Sequence, residues 1–256
     1  MPFLLKSPNF NAQGTVARYI VGCCSRACRC LAIPYRKWTA IHFFLCLILS
    51  VAKDTNHTVM EKLYSYKMSH DDRFAPNPYH GVLTLATCKP RMRLSVGDGN
   101  WIAGWTSRSM KTQSTPVGRE KLVYLAKVTK KLSYGEYWEA FPSKRPDKTG
   151  NTVTGDNIYC PDVTQSHDYR LIPNLRHETE KQKTKDMNGK YVLVCEEFYY
   201  FGGTKDSTPL EIPVEVRPNV PKGQTSVGYI TDNPASFINF VRQNADKCQM
   251  CNANLK

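Results

Sequence analysis

Hydrophobic and polar residues follow a regular pattern only after residue 60. The alternating segment 62–68 predicts a β-strand, and the apolar segments 100–105 and 121–128 predict two more. Segment 191–201 (YVLVCEEFYYF) predicts a long strand that ends at Gly202. On such a strand Tyr199 and Phe201 share one face while Phe198 and Tyr200 share the other. We expect one pair to lie in the core and the other to be free to form an aromatic platform.

Two segments carry helix signals. Ser133 precedes Glu136 by three residues, which is a capping box, and aromatic residues follow it. In 231–244, Asp232 is the expected N-cap, Pro234 lies in the first turn, and the pattern is amphipathic. Segments 70–81, 204–230 and the basic run 181–185 are predicted loops. Strands with few helices between them indicate an α+β fold, with a small twisted or barrel-like mixed sheet and helices at its edge.

The first 59 residues differ from the rest of the chain. They include a 15-residue apolar run at 38–52, whereas a membrane-spanning helix needs about 20 apolar residues. The run is either the hydrophobic part of a signal or anchor, or translated sequence upstream of a true start at Met60, and we favour the second interpretation. We therefore expect a prefix at 1–59, a domain at 60–245 and a flexible tail at 246–256.

The charge of the chain favours an anionic partner. Of 35 Lys and Arg residues seven lie before residue 60, where Asp54 is the only acid, so the remainder carries 28 basic against 21 acidic residues. This excess attracts polyanions such as nucleic acid or a membrane surface. The composition, at 41% hydrophobic residues, supplies a sizeable core.

The cysteines indicate a reducing, cytoplasmic location. Cys88, Cys160 and Cys195 are isolated in apolar surroundings, as buried free thiols are. Cys248 and Cys251 form a lone CxxC, which is half of a zinc site without matching ligands at a recognisable spacing. No metal site is predicted.

Common catalytic motifs are absent from the sequence. It contains no GxxxxGK[ST] loop, GxGxxG, HExxH or GxSxG, and His177-Glu178 lacks the spacing of a zinc deaminase. The usual nucleotide-binding and hydrolase templates are thereby excluded, and no cofactor is indicated.

Four segments are rich in polar and aromatic side chains. Segment 70–81 carries His70, His80, two carboxylates and Asn77 on a proline-stiffened loop. The others place Asp98 before Trp105, join Asp156 and Asn157 to Tyr159, and contain Tyr199 and Tyr200. Each has a structural alternative: Asx residues often satisfy their own turns, and an aromatic residue in a strand is more often in the core.

Together these segments resemble a known family. The ordered motifs APNPYHG, LTLATCKPRMR, VGDGNWIAGW, LVYLAKVTKKLSYGEYW, GDNIY and EEFYYFGG are similar to the nucleotide modification associated domain family, second type. Its members are described as DNA base hypermodification proteins of phage and bacterial systems. The resemblance covers nearly all of 62–241, and the family usually reads G-D-W where this chain reads GDGNW. A fold-level likeness to PUA and EVE readers of modified bases is weaker.

The resemblance implies a domain that handles a nucleotide or a DNA base beside neighbouring base-modification enzymes. Under this hypothesis Tyr199, Tyr200 and Trp105 stack a base, and Asp98, Asp156 and Asn157 read its edges. His70 and His80 are the candidates for proton transfer. A reader without chemistry, using the same aromatic rings, stays open as an alternative, and so does a membrane-tethered protein anchored through 38–52.

Overall fold

A computed structural model describes residues 60–112, 115–116, 120–146, 154–164, 168–172, 174, 176–203 and 207–252. The apolar run 38–52 lies outside the described residues. Within them, no helix is both long enough and apolar enough to cross a membrane.

The strands alternate with short helices along the chain. In chain order they are β1 (Lys62–Met68), β2 (Leu83–Leu85), β3 (Trp101–Thr106), β4 (Lys111–Thr112), β5 (Thr115–Pro116), β6 (Leu122–Lys127), β7 (Lys130–Ser133), β8 (Tyr159–Pro161), β9 (Tyr169–Leu171), β10 (Tyr191–Cys195), β11 (Glu197–Tyr200), β12 (Tyr229–Asp232) and β13 (Met250–Asn252). The α-helices are α1 (Pro90–Ser95), α2 (Tyr134–Ala140), α3 (Glu180–Met187) and α4 (Ala235–Gln243). Short 3₁₀ turns occupy Pro142–Lys144, Val214–Val216 and Ala245–Lys247.

The largest sheet has six strands in the order β12-β1-β3-β6-β11-β13. Its β1–β3 pair is parallel and every other neighbouring pair is antiparallel. A second sheet has the order β2-β10-β7, and β4-β5 and β8-β9 form two-stranded ribbons. Across the described residues both larger sheets are open, which confirms the α+β class with a mixed sheet.

One long pair of strands joins the two larger sheets. The register that pairs β6 with β11 continues unchanged where β7 pairs with β10. At the junction Val128 donates its N–H to the carbonyl of Asn100, just before β3 of the large sheet, while Thr129 donates to the carbonyl of Val194 in the small one. The predicted strand 191–201 is therefore confirmed, except that Glu196 interrupts it where the chain passes between sheets.

Both faces of the six-stranded sheet are covered. Tyr199 and Phe201 pack in a cluster with Trp105 and with Phe237 of α4. Phe198 and Tyr200 belong to a different cluster that includes residues of β2 and β10. The expectation of one buried and one free aromatic pair is wrong, because the small sheet covers the face that a single-layer fold would leave open.

Of the two predicted helix N-caps, the one for α2 is confirmed and the one for α4 is wrong. In α2, Ser133 Oγ accepts from Glu136 N–H while the Glu136 carboxylate accepts from Ser133 N–H at 2.7 Å, so the predicted capping box is confirmed. In α4 the predicted N-cap is wrong: Pro234 holds that position, because Asp232 is the last residue of β12 and pairs with Lys62.

Two polar segments are more ordered than expected. The run 181–185, predicted as a loop, lies in α3, whose capping box consists of Thr179 and Gln182. Beyond residue 245, predicted as a tail, the chain forms a 3₁₀ turn and then β13, which pairs with β11 at the sheet edge. A disulfide joins Cys248 to Cys251 in this segment.

Candidate functional site: a cationic cleft beside Cys88

A cleft of about 690 Å³ opens beside the end of β1. Its walls are the end of β1, the loop 69–75, residues 88–91 at the start of α1, segments around His177 and Lys185, and residues 224–226. This volume lies within the range of small-molecule sites, roughly 300–1,000 Å³. We call it the cationic cleft, because the described residues that line it include five Lys or Arg side chains and one carboxylate: Lys67, Lys89, Arg91, Arg176, Lys185 and Asp72.

The cations of the cleft are only partly neutralised. Asp72 pairs with Arg176 at 3.4 Å, and the buried Lys67 lies 3.8 Å from Glu120. Lys89 donates to the carbonyl of Thr225 at 3.0 Å, a neutral partner. Burial lowers the pKa of Lys89, and the nearby charge of Lys185 lowers it further, although Cys88 acts in the opposite sense. Lys89 and Lys185 both line the cleft, and an anionic ligand bound there would stabilise the charged form of each.

Cys88 lies in the wall of the cleft beside a histidine and a buried carboxylate. Its Sγ is 3.8 Å from Nε2 of His177, and Nδ1 of the same ring is 2.7 Å from Oδ2 of Asp186. The ring of Phe74 packs against His177 with 5.4 Å between centroids. Thiol, imidazole and carboxylate are therefore aligned in the order that nucleophilic catalysis uses.

Asp186 holds both Cys88 and His177 in position through hydrogen bonds. It is 1% exposed and lies near the end of α3. Its Oδ1 accepts from the backbone N–H of Cys88 at 2.7 Å, and its Oδ2 accepts from the hydroxyl of Tyr159, also at 2.7 Å. One carboxylate therefore positions the peptide that carries the sulfur and the ring that faces it. Tyr159, predicted to bind a nucleotide, supports this carboxylate from the interior.

A buried arginine also holds the backbone at Cys88 and Asp186 in place. Arg93 is fully buried and donates to the carbonyls of Cys88 at 2.9 Å and Asp186 at 2.6 Å, and to the hydroxyl of Tyr134 at 2.7 Å. A Cβ at Gly189 would lie 2.4 Å from Cζ of Arg93, so only glycine allows the guanidinium to lie there.

The charge of His177 follows from these contacts. Burial opposes protonation, but the hydrogen bonds to Asp186 and Cys88 and the charge of Asp186 outweigh it and raise the pKa of His177 to about 9. At neutral pH the ring is an imidazolium, with Nδ1–H directed to the carboxylate and Nε2–H to the sulfur. The backbone at the thiol is also constrained: Cys88 and Lys89 have φ of 58° and 41°, a left-handed conformation that non-glycine residues rarely adopt.

Several predicted site residues form a separate polar network in the interior. Asp156 accepts from Tyr137 at 2.6 Å and Thr84 at 2.7 Å, and Asn77 accepts from Lys144 at 2.6 Å. Burial raises the pKa of Asp156 and lowers that of Lys144 to about 8. Asn157 donates to the carbonyls at the end of α2, those of Tyr137 and Phe141, each at 3.1 Å. These polar groups are satisfied by protein atoms, as buried polar groups usually are.

The predicted stacking rings lie in the core. Trp105 is fully buried and stacks on Phe237 at 5.6 Å between centroids. The Tyr199 hydroxyl donates to Glu197, and the Tyr200 hydroxyl donates to Asp71. None of the three rings presents a face to solvent, because the sheet that carries them is covered on both sides.

The remaining predicted residues are dispersed over the surface. His70 is exposed and lines the cationic cleft, with Nδ1 3.0 Å from the hydroxyl of Ser69. His80 is exposed in the turn before β2, outside the lining of the cleft. Asp98 is exposed in the turn before β3. The structure therefore does not bring the two candidate histidines together.

Cys88, His177 and Asp186 are not among the site residues predicted from the sequence. Cys88 was assigned to apolar surroundings, yet it is only partly buried and adjoins an imidazolium. The Thr179–Gln182 pair was an available helix signal that would have placed Asp186 in the last turn of α3. Nothing local to the sequence indicated that this helix packs beside Cys88. Among the described residues, no group of three or more His, Cys, Asp or Glu side chains is arranged so that it could hold a metal ion.

A family model matches most of the chain. The family model of nucleotide modification associated domain 2 matches residues 60–249. Comparison with curated proteins and with solved structures gives no match.

Proposed function

The chain belongs to the nucleotide modification associated domain 2 family, and we propose that its domain binds a nucleotide, free or within DNA, in the cationic cleft. The modification of DNA bases is the setting in which this binding acts. The phosphate faces the cations at the mouth, and the base enters beside Phe74 and His177.

The observation that carries the proposal is the charge of the cleft, whose described lining includes five Lys or Arg side chains and one carboxylate. Such an excess of positive charge in a concave surface attracts anionic ligands such as a phosphate group. Arg91 and Arg176 extend the same positive surface, and guanidinium groups bind phosphate oxygens in a bidentate manner.

The rest of the cleft suits the base of a nucleotide. Tyr66, Met68 and Phe74 form its apolar side, whereas Ser69, Thr225 and Ser226 supply polar groups. An apolar wall with a few polar groups is the usual composition of a ligand pocket. A nucleotide offers the matching combination of a flat ring and a phosphate.

Calorimetric titration of the full-length protein with dCMP and with deoxycytidine tests this proposal. Because charged hydrogen bonds contribute about 1.5–3 kcal/mol each, we expect dCMP to bind at least about ten-fold more tightly than the nucleoside. Lys89→Gln and Arg176→Gln should each remove most of that difference and leave deoxycytidine binding unchanged.

Lys62→Gln is the matched control, since it removes the same charge from an exposed ion pair with Asp232 outside the cleft. It should bind dCMP as the wild type does. Equal affinity for dCMP and deoxycytidine, or an effect of Lys62→Gln as large as that of Lys89→Gln, would contradict a phosphate site in the cleft.

A further inference from the structure

We infer that Cys88, His177 and Asp186 form a catalytic thiol site, in which Cys88 adds to C6 of a pyrimidine nucleotide bound in the cationic cleft. This inference rests on the proposed function for its substrate, but not for the reactivity of the thiol. It distinguishes an enzyme from a reader of modified bases, which needs no nucleophile.

The geometry supplies a nucleophile and a proton carrier in contact. Sγ of Cys88 and Nε2 of His177 are 3.8 Å apart at the wall of the cleft, where a ligand can reach the sulfur. The other partly buried thiol of the described residues, Cys160, lies instead near the carbonyl of its own neighbour, Pro161, at 3.5 Å. An imidazole in contact with the sulfur is one of the arrangements that activate a cysteine thiol as a nucleophile.

Asp186 acts as a positioning residue. Its two oxygens hold the Cys88 peptide and the His177 ring at 2.7 Å each, and Tyr159 and Arg93 hold Asp186 from the interior. The left-handed backbone at Cys88 and Lys89 is a costly conformation that this set of contacts maintains. The raised pKa of His177 keeps a proton on the ring near neutrality, available for transfer.

The substrate class follows from the chemistry of the bases. In a pyrimidine, C6 is conjugated to the C4 position and accepts a thiol without a leaving group, whereas a purine carbon requires a leaving group or a hydride acceptor. Addition to C6 of a pyrimidine therefore needs only a thiol and an acid. Cys88 and His177 supply these two groups.

The step balances without a co-reactant. The bond from Sγ to C6 forms, the π bond between C5 and C6 breaks, and its electron pair moves through C4 onto O4 of a uracil ring or N3 of a cytosine ring. The Nε2–H group of the His177 imidazolium delivers its proton to C5 as that electron pair returns to carbon, and the proton given up by the thiol replaces it on Nε2. The net change is addition of S–H across the ring double bond. Reversal restores the thiol and exchanges the C5 proton with solvent, because the cleft is open.

The first experiment measures the thiol alone. The full-length protein is treated with iodoacetamide, and each cysteine is followed by peptide mass spectrometry. We expect Cys88 to react at least about ten-fold faster than Cys160, as activated thiols do. His177→Gln should lower the rate at Cys88 without changing Cys160, and folded Asp186→Asn should do the same while retaining dCMP binding. If Asp186→Asn does not fold, the His177→Gln result decides. Equal rates at Cys88 and Cys160 would overturn the thiol site.

The second experiment measures the addition. dCMP and dUMP are incubated with the protein in deuterium oxide, and loss of the C5 proton is followed by NMR. Wild type and Cys160→Ala should exchange it, whereas Cys88→Ala and Cys88→Ser should not. No exchange of a nucleotide that titration shows to be bound would overturn the addition step. If dCMP does not bind at all, the proposed function fails, and the alkylation rates still decide whether Cys88 is activated.

Discussion

The ion pair between His177 and Asp186 should make the stability of the domain depend on pH in a defined direction. The perturbation is His177→Gln, which keeps a polar side chain but removes the titrating ring. The wild-type ring has its pKa raised to about 9, whereas a histidine in an unfolded chain titrates near 6.5. A group with a raised folded pKa stabilises fully below the unfolded value and loses that contribution as pH rises through the folded value.

The magnitude follows from the shift. One pKa unit corresponds to about 1.4 kcal/mol, so the full shift corresponds to about 3 kcal/mol. The side chain is 13% exposed and borders an open cleft, which reduces the expected contribution to about 2 kcal/mol. Most of it should be present at pH 6 and absent by about pH 10.

Urea denaturation of wild type and His177→Gln at pH 6, 7.5, 9 and 10 measures the difference. The stability of wild type relative to the variant should fall by about 2 kcal/mol over this range. His70→Gln is the control, because His70 is an exposed histidine of the same cleft that contacts Ser69 rather than a carboxylate. A wild-type advantage that is constant with pH, or one that grows as pH rises, would refute a protonated His177 held by Asp186.

Three further predictions concern the domain as a whole. A chain that begins at Met60 should melt cooperatively at the full-length midpoint, because residues after it form the hydrophobic clusters on both faces of the six-stranded sheet; aggregation of this chain beside a soluble full-length protein would refute the boundary. DNA binding should weaken steeply with salt, and Lys89→Gln should reduce the slope of log K against log salt by about 1; a salt-independent affinity would leave a free nucleotide as the ligand. Trp105→Ala should destabilise the fold by about 3–5 kcal/mol, since the ring is fully buried against Phe237; a change below 1 kcal/mol in urea denaturation would mean that this ring is not part of the core.

The sequence predicts best the helices and strands that depend on interactions between residues close together in the chain. The capping box at Ser133 and the alternation of β1 depend on residues within one turn or one strand, and both appear as predicted. The start of α4 does not appear as predicted. Asp232, the expected N-cap, stays in β12 because it pairs with Lys62. The pairing of Lys62 with Asp232 joins residues far apart in the chain, so the local sequence pattern does not predict it.

The site was predicted less well for a related reason. Asp156 and Asn157 have the side chains of a binding site, but their hydrogen bonds go to Tyr137 and to the end of α2. A sequence shows that a polar group needs a partner without showing whether the partner is protein or ligand. Conversely, Cys88 and His177 are 89 residues apart and gain chemical meaning only when α3 packs beside the turn before α1.

The most direct test of the nucleotide site is a crystal structure of the full-length protein soaked with dCMP. We expect the phosphate to lie within hydrogen-bonding distance of Lys89 and Lys185, and the pyrimidine ring to lie against the wall formed by Phe74, His177 and Cys88. Density for dCMP elsewhere, such as the smaller surface pocket beside Leu210 and Phe240, with the cationic cleft filled by water, would contradict the proposed function.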